Sequence, residues 1–255
     1  MKTILTRSDD YASSHAANHA IVRAVNSGFI KNVSIMAAGP YVEEAAMLLS
    51  ERNDICFGLH ITLNAEWDRV RWGPVSPKEQ VPSLVDKDGY FYQDPVLFQE
   101  HQPSLEEIIQ ECEAQLEKLI SAGFTISYVD SHMLPERYVT GLTERLDRWI
   151  ASKGLINHME YYRLFPRNDD VASTPGLFEQ VLSTLEEGQY FFVTHPALYS
   201  QEMTECGNDQ VDGQQLARNR DLEMVFITSP DTMEICERYG FTTIRYDEAV
   251  PLPVN

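Results

Sequence analysis

The sequence predicts an α/β fold: a (β/α) barrel or distorted TIM-like barrel of about seven strand–helix units, in one domain over residues 1–255. Three observations predict it. Short apolar runs alternate with helical patterns, the signature of parallel strands joined by helical crossovers. Seven such units in 255 residues suit a barrel better than a small open sheet. And the residues able to do chemistry fall at the ends of the apolar runs, where β/α barrels gather their active sites.

Residues 3–6 read as the first strand, which ends in Asp9-Asp10. A helix over 14–27 follows, with Ala17, Ala20, Ile21, Ala24 and Val25 at helical spacing. The second strand, 33–37, ends in Ala37-Ala38-Gly39, small residues that leave room, and precedes a helix over 41–50. The third, 55–63, carries Gly58-Leu59-His60-Ile61-Thr62. Residues 64–103 then break the rhythm, with Trp67, Trp72, Tyr90, Phe91 and Tyr92 among prolines. Segments that long usually cover or shape a site. These aromatics either stack on sugar rings or pack the segment onto the barrel.

The clearest helix is 105–122, with Leu105, Ile108, Ile109, Cys112, Leu116, Leu119 and Ile120 on one side and Gly123 as its stop. Strand 126–130 ends in Asp130-Ser131-His132, and a helix over 138–151 follows. Strand 158–162, helix 175–187 and strand 190–194 come next, the last ending in His195-Pro196. A second long segment, 199–213, is polar and acidic. Helices 214–227 and 231–239 and a strand at 242–246 complete the chain.

Hydrophobic residues make up 43% of the chain, enough for a sizeable core. A net charge of −19 repels phosphate backbones, which excludes nucleic acid as an expected partner. No apolar run nears the roughly 20 residues that span a bilayer, and no secretory leader is recognisable, so no membrane association and a cytoplasmic location are expected. Cys56, Cys112, Cys206 and Cys236 form no CxxC pair and read as reduced structural thiols.

Two carboxylates and three imidazoles thus converge on one rim. Each alone has an ordinary reading. A single strand-end histidine is more often structural, and an Asp pair is usually a solvated turn or a helix cap, a role for which Ser13 and Ser14 compete. His15, His19, His101 and His158 read as helix, loop or packing residues. Together the rim residues suit metal-assisted hydrolysis. One carboxylate and two imidazoles suit a divalent ion with open positions. A second carboxylate can accept a proton from water, and a further histidine can protonate a leaving group. Asp130 and His132 are two apart on a strand and share a face, so Asp130 either orients His132 or lies in a surface turn.

The stretches "SDDYASSHAANHAI", "KNVSIMAAGPYVEEA", "GLHITLN", "YVDSHM", "VTHPAL" and "RNRDLEMVFITSP" resemble, in order, motifs of the YdjC-like carbohydrate deacetylases, the chitooligosaccharide deacetylase family. The resemblance covers most of the chain. It implies a barrel-like fold, one divalent metal ion and removal of an N-acetyl group from an amino sugar or short oligosaccharide. Magnesium or zinc is expected first, with manganese, cobalt or nickel also admitted. Carried over, Asp10, His60 and His132 hold the metal, Asp9 is the general base and His195 the general acid. Arg218 and Arg220 match a late motif; an ordinary helix salt bridge is preferred over a contact to substrate or to Asp9. Asp130, Trp67 and Trp72 are candidates for substrate contact or support of the ligands. The expected partner is a small carbohydrate, and a homodimer is compatible with the family's habit. Two departures stand out. Met133 and Leu134 replace further histidines. Ala12 replaces a common glycine, which is tolerable if the backbone there avoids positive φ. A phosphoesterase, or a non-catalytic sugar-binding protein, on the same barrel are the alternatives.

Overall fold

The computed structural model describes residues 1–161, 163–166 and 174–252. Its strands are β1 (Lys2–Tyr11), β2 (Asn32–Ile35), β3 (Cys56–Ile61), β4 (Ile126–Ser131), β5 (Ile156–Asn157), β6 (Gly188–Thr194) and β7 (Phe241–Ile244). They form one parallel sheet in the order β5-β4-β3-β2-β1-β6, with β7 also on β1. β1 is long enough to serve three neighbours. β6 pairs along one edge from Lys2 to Ser8, while β7 and β2 share the other, β7 at Lys2–Leu5 and β2 at Arg7–Tyr11. Beyond β5 the chain returns to the free edge of β6, where Phe165 donates to the Phe191 carbonyl (2.8 Å) and Phe191 to that of Arg163 (2.7 Å). The result is the barrel-like α/β architecture expected from the alternation.

Side chains alternate across each strand. Ile4, Val33, Ile35, Leu59, Ile61, Val129 and Phe192 join the large core shared with the helices. Leu5, Tyr128 and Phe191 form a smaller cluster with Tyr161 and Tyr246 on the concave side. Arg7, Asp9, Gly58, His60 and Asp130 share that second parity, so the chemistry stands on an aromatic floor. Gly58 makes room for it: a Cβ there would lie 2.2 Å from the Tyr128 ring, whose hydroxyl bonds Ser34 at 2.8 Å.

The helices longer than four residues are α1 (His15–Asn26), α2 (Val42–Leu49), α3 (Leu105–Ser121), α4 (Leu142–Lys153), α5 (Pro175–Thr184), α6 (Gly213–Thr228) and α7 (Pro230–Arg238). Ser14 caps α1 by accepting from the Ala17 N–H (2.9 Å), and Gly123 follows α3 at φ +103°. The buried seam of α3 is narrower than its apolar count suggests. Ile120 is exposed, while Glu111 and Gln115 are fully buried. The reason is the long segment 64–103. The Glu111 carboxylate accepts from the Val75 and Ser76 N–H groups (2.8 and 2.9 Å), and Gln115 bonds both backbone groups of Thr62.

The strand expected at 158–162 lies earlier, at Ile156–Asn157, and His158–Tyr161 is a 3₁₀ turn. The Asn157 carboxamide starts that turn by accepting from the Met159 N–H (3.0 Å). Residue 162 lies outside the described residues. β1 continues through the acidic pair instead of stopping at Thr6. All four cysteines are buried and free. Among the described residues, no helix is long and apolar enough to cross a membrane.

Candidate active site

Adjacent strand residues normally face opposite sides, so two neighbouring aspartates should not share a rim. A bulge solves this. The β1–β2 register shifts between Ser8 and Tyr11, and Asp10 sits at φ +63°. Ala12 lies at φ +77°, so the condition under which it would replace glycine without cost is not met: this turn does use left-handed backbone. Asn18 fixes the turn by accepting from the Ala12 N–H at 2.8 Å. Gly39 is small for the same turn. A Cβ there would lie 2.2 Å from the Ala12 carbonyl, so Gly39 makes room for backbone.

The turn aims Asp10 at His60 and His132. Asp10 Oδ1, His60 Nε2 and His132 Nδ1 stand 3.2 Å (His–His), 3.4 Å (His132–Asp10) and 3.6 Å (His60–Asp10) apart. Ligands about 2.0–2.2 Å from a zinc-sized ion lie roughly 3–3.5 Å from one another. Asp10 Oδ1 is also buried with no hydrogen-bond partner among the described residues, a costly state that a cation would relieve. The three residues fit a divalent ion. A second grouping, Asp9, His60 and Asp130, is equally close. In it, His60 Nδ1 and Asp130 Oδ2 bond each other and both Asp9 oxygens accept from Arg7, so Asp130 Oδ1 alone is left without a hydrogen-bond partner among the described residues.

Asp130 is neither a surface turn residue nor the partner of His132. It pairs in register with His60 across β3 and β4, and its Oδ2 lies 2.6 Å from His60 Nδ1. That bond leaves His60 Nε2 to face the centre. His132 lies one residue past β4, and Glu66 meets its Nε2 at 3.0 Å.

Burial opposes charge on both imidazoles, but the carboxylates outweigh it. Asp130 and Asp9 lead for His60, raised to about 9, and Glu66 and Asp10 for His132, raised to about 10. Burial likewise opposes ionisation of Asp10, yet Arg220 and the two histidines hold it well below the usual carboxylate range. In the metal-free protein the raised imidazoles contribute stability that is fully present below their unfolded pKa of about 6.5. It is lost as pH rises through about 9 to 10. A metal needs them neutral, so its uptake at pH 7 should release protons, and its affinity should climb with pH. Calorimetry in buffers of different ionisation enthalpy measures the number; no proton release would contradict the ligand set.

Asp9 is held by Arg7, two residues back on the same face. The guanidinium donates to both Asp9 oxygens (2.6 and 2.8 Å), reaches Asp130 Oδ2 (3.1 Å) and lies 4.5 Å over the Phe191 ring. His158, expected to be a packing residue, is buried beside it, with Nδ1 3.3 Å from Arg7 Nη1. Burial first, then the Arg7 charge, lowers His158 to about 4. His195 Nε2 is 3.9 Å from Asp9 Oδ2, and its ring is partly open to solvent.

The preferred reading of the two late arginines is corrected. Arg220 makes no ordinary helix salt bridge: its Nη1 donates to Asp10 Oδ2 (2.8 Å) and to the His195 carbonyl (3.0 Å). Glu223, one turn on, accepts from the His195 N–H at 2.9 Å. Spacing of three puts both on one face of α6, toward the ends of β1 and β6. Arg218 falls off that face; it is exposed and bonds Gln215 at 3.3 Å. Of its two alternatives, Trp72 takes support of a ligand residue. It is buried, donates Nε1 to the Asn64 carbonyl (2.6 Å) and backs the His132 ring edge-on, away from any substrate. Trp67 does line the cavity.

That cavity measures about 600 Å³ and extends from the three ligand residues to both long segments. Glu66, Trp67, Asp68 and Asp94 come from one, and Asn208 to Val211 from the other. Met133 and Leu134, both at φ +52°, form its apolar side. Glu66, Arg7, His158 and Glu223 carried no signal that sequence reasoning used.

Fold and rim together define a barrel-like α/β protein with a buried His-His-Asp set open to a solvent cavity. The chain belongs to the YdjC-like protein family, whose model matches residues 3–138. It is similar to a carbohydrate deacetylase of Thermoanaerobacter pseudethanolicus, 26% identical over 250 residues that cover 92% of this chain and 94% of that protein. A carbohydrate deacetylase of Enterococcus faecalis is 25% identical over 274 residues, covering 96% and 97%. Among solved structures, a candidate cellobiose-phosphate cleavage protein of E. faecalis V583 superposes with a TM-score of 0.78 at 22% identity, over 97% of this chain and 98% of that one. This last likeness speaks for the fold.

Proposed function

We propose that the protein is a divalent-metal-dependent hydrolase that removes an N-acetyl group from an acetylated amino sugar or short oligosaccharide. The observation that carries the reading is the convergence of Asp10 Oδ1, His60 Nε2 and His132 Nδ1, with Asp10 Oδ1 buried and without a hydrogen-bond partner among the described residues. The names of the relatives supply the substrate class. When bound, the ion supplies an acidified water and polarises the acetyl carbonyl.

The chain's own residues do the rest. Asp130 and Glu66 orient the two imidazoles, and Arg220 fixes Asp10. Asp9 takes the proton of the attacking water. A carboxylate offers about four lone-pair sites, and Arg7 occupies two of them. His195, exposed toward the cavity, protonates the amide nitrogen as the C–N bond breaks. Acetate and a free amine result. Trp67 offers an apolar face for a sugar ring. The cavity falls within the roughly 300–1,000 Å³ of small-molecule sites.

Charge narrows the substrate. Arg7 and Arg220, the arginines that line the cavity, each face a carboxylate, and Glu66, Asp68, Asp94 and Asp209 line it as well. An uncharged or amine-bearing sugar suits these walls better than a phosphorylated one.

Acetate release by metal-stripped protein, reloaded with each divalent ion in turn, tests the reading on N-acetylated mono- and disaccharides. Metal-dependent acetate is expected, with phosphorylated substrates at least about tenfold lower in kcat/KM. No acetate from any sugar with metal bound would reject it.

A further inference from the structure

The rim does not use all the metal-binding chemistry of the chain. His15 and His19 are four apart on α1, so they stand on one face. Their ring centroids are 4.4 Å apart. Glu44 on α2 meets both: its Oε1 lies 2.7 Å from His15 Nδ1 and 3.6 Å from His19 Nε2. All three offer ligand atoms within 4.8 Å of one another, and solvent reaches the site, with side-chain exposures of 59%, 38% and 24%.

A plain surface ion pair needs only one of these histidines. Here one carboxylate oxygen faces two imidazoles, and the other is fixed from behind. Asn18, fully buried, donates Nδ2 to Glu44 Oε2 at 2.7 Å. The same carboxamide accepts from the Ala12 N–H, so Glu44 is tied to the turn that carries Asp10. Two imidazole nitrogens and an oriented carboxylate oxygen are the donor set of zinc, nickel and copper. Magnesium and calcium prefer oxygen ligands throughout.

We propose that His15, His19 and Glu44 form a second, surface metal site, separate from the rim, which takes a nitrogen-preferring divalent ion and clamps α1 to α2. Its residues overlap none of the rim residues. Its occupancy can therefore be measured separately from the proposed reaction.

Equilibrium dialysis of the metal-stripped full chain against micromolar zinc, read by elemental analysis, tests it. The H15A/H19A variant is expected to bind one zinc ion fewer per chain than the natural protein. H19Q, which keeps the side chain's bulk, should lose the same ion. Dialysis against magnesium should show no difference between the natural chain and either variant. If the rim holds no ion, the natural chain should still bind one zinc and the double variant none, which keeps this site apart from the proposed activity. Equal zinc in the natural chain and both variants, with circular dichroism unchanged, would overturn the proposal.

Discussion

Asp9→Asn is expected to lower kcat by about 10²–10⁴-fold while the metal bound per chain stays the same. Asp9 is not among the three residues that converge on the open centre. Asparagine keeps its shape and one acceptor oxygen for Arg7, whose other carboxylate contact, Asp130 at 3.1 Å, is untouched. What the variant lacks is a carboxylate able to take a proton. Asp10→Asn should behave differently, losing metal and turnover together, because Oδ1 of Asp10 is the carboxylate oxygen that faces both imidazoles at the centre. On the proposed reading the pair of neighbours divides two functions that a strand without a bulge would have placed on opposite faces. Acetate release at saturating substrate and elemental analysis of the same samples measure both. An Asp9→Asn protein with undiminished kcat would remove Asp9 from the proton transfer.

The alternation that announced the fold was visible because both sides of a parallel strand are covered and its apolar runs are short and sharply bounded. Asp10, His60 and His132 were visible for a related reason: strand ends are where a barrel exposes polar side chains. Their supports were not. Which residue orients His60 depends on the register of β3 against β4, and the spacing of two within "DSH" pointed Asp130 at the wrong histidine. Arg7 lies one residue past the run 3–6 that reads as a strand and pairs with a residue only two positions on, a contact set by the strand's continuing beyond that run. Glu66 arrives from a long segment whose path is decided by buried Glu111 and Gln115 on a helix with no apolar reason to bury them. Arg220 and Glu223 depend on how α6 is rotated about its axis. Arg218, two residues away and equally basic, points elsewhere. The need for left-handed backbone at Ala12 was hidden because alanine, unlike glycine, does not advertise it.

Arg7→Met is expected to destabilise the protein by about 3–5 kcal/mol and to lower turnover as well. The guanidinium is buried and lies between two carboxylates, Asp9 on both oxygens and Asp130 on one, with the Tyr246 hydroxyl at 3.3 Å and the Phe191 ring beneath it. Burial opposes its charge, yet the two aspartates more than compensate and hold it well above its ordinary value. The same guanidinium keeps Asp130 ionised against its own burial, with His60 adding to the effect. Methionine fills much of the volume and can lie on Phe191, so the loss measures Asp9 left without its bidentate cation and Asp130 left with His60 alone, more than it measures packing. A fall of that size is a large part of a typical 5–15 kcal/mol domain stability. It should appear as a lower denaturant midpoint at unchanged slope. Two further variants locate the cause. Arg7→Lys keeps the charge but loses the bidentate geometry, and should fall in between. Arg7→Met/Asp130→Asn removes one of the stranded charges and should recover part of the stability, although not the orientation of His60. A loss below about 1 kcal/mol in Arg7→Met would mean that the pair behaves as a solvent-screened surface bridge. Asp9 would then already be stabilised by water, and its fixed orientation could not be credited to Arg7.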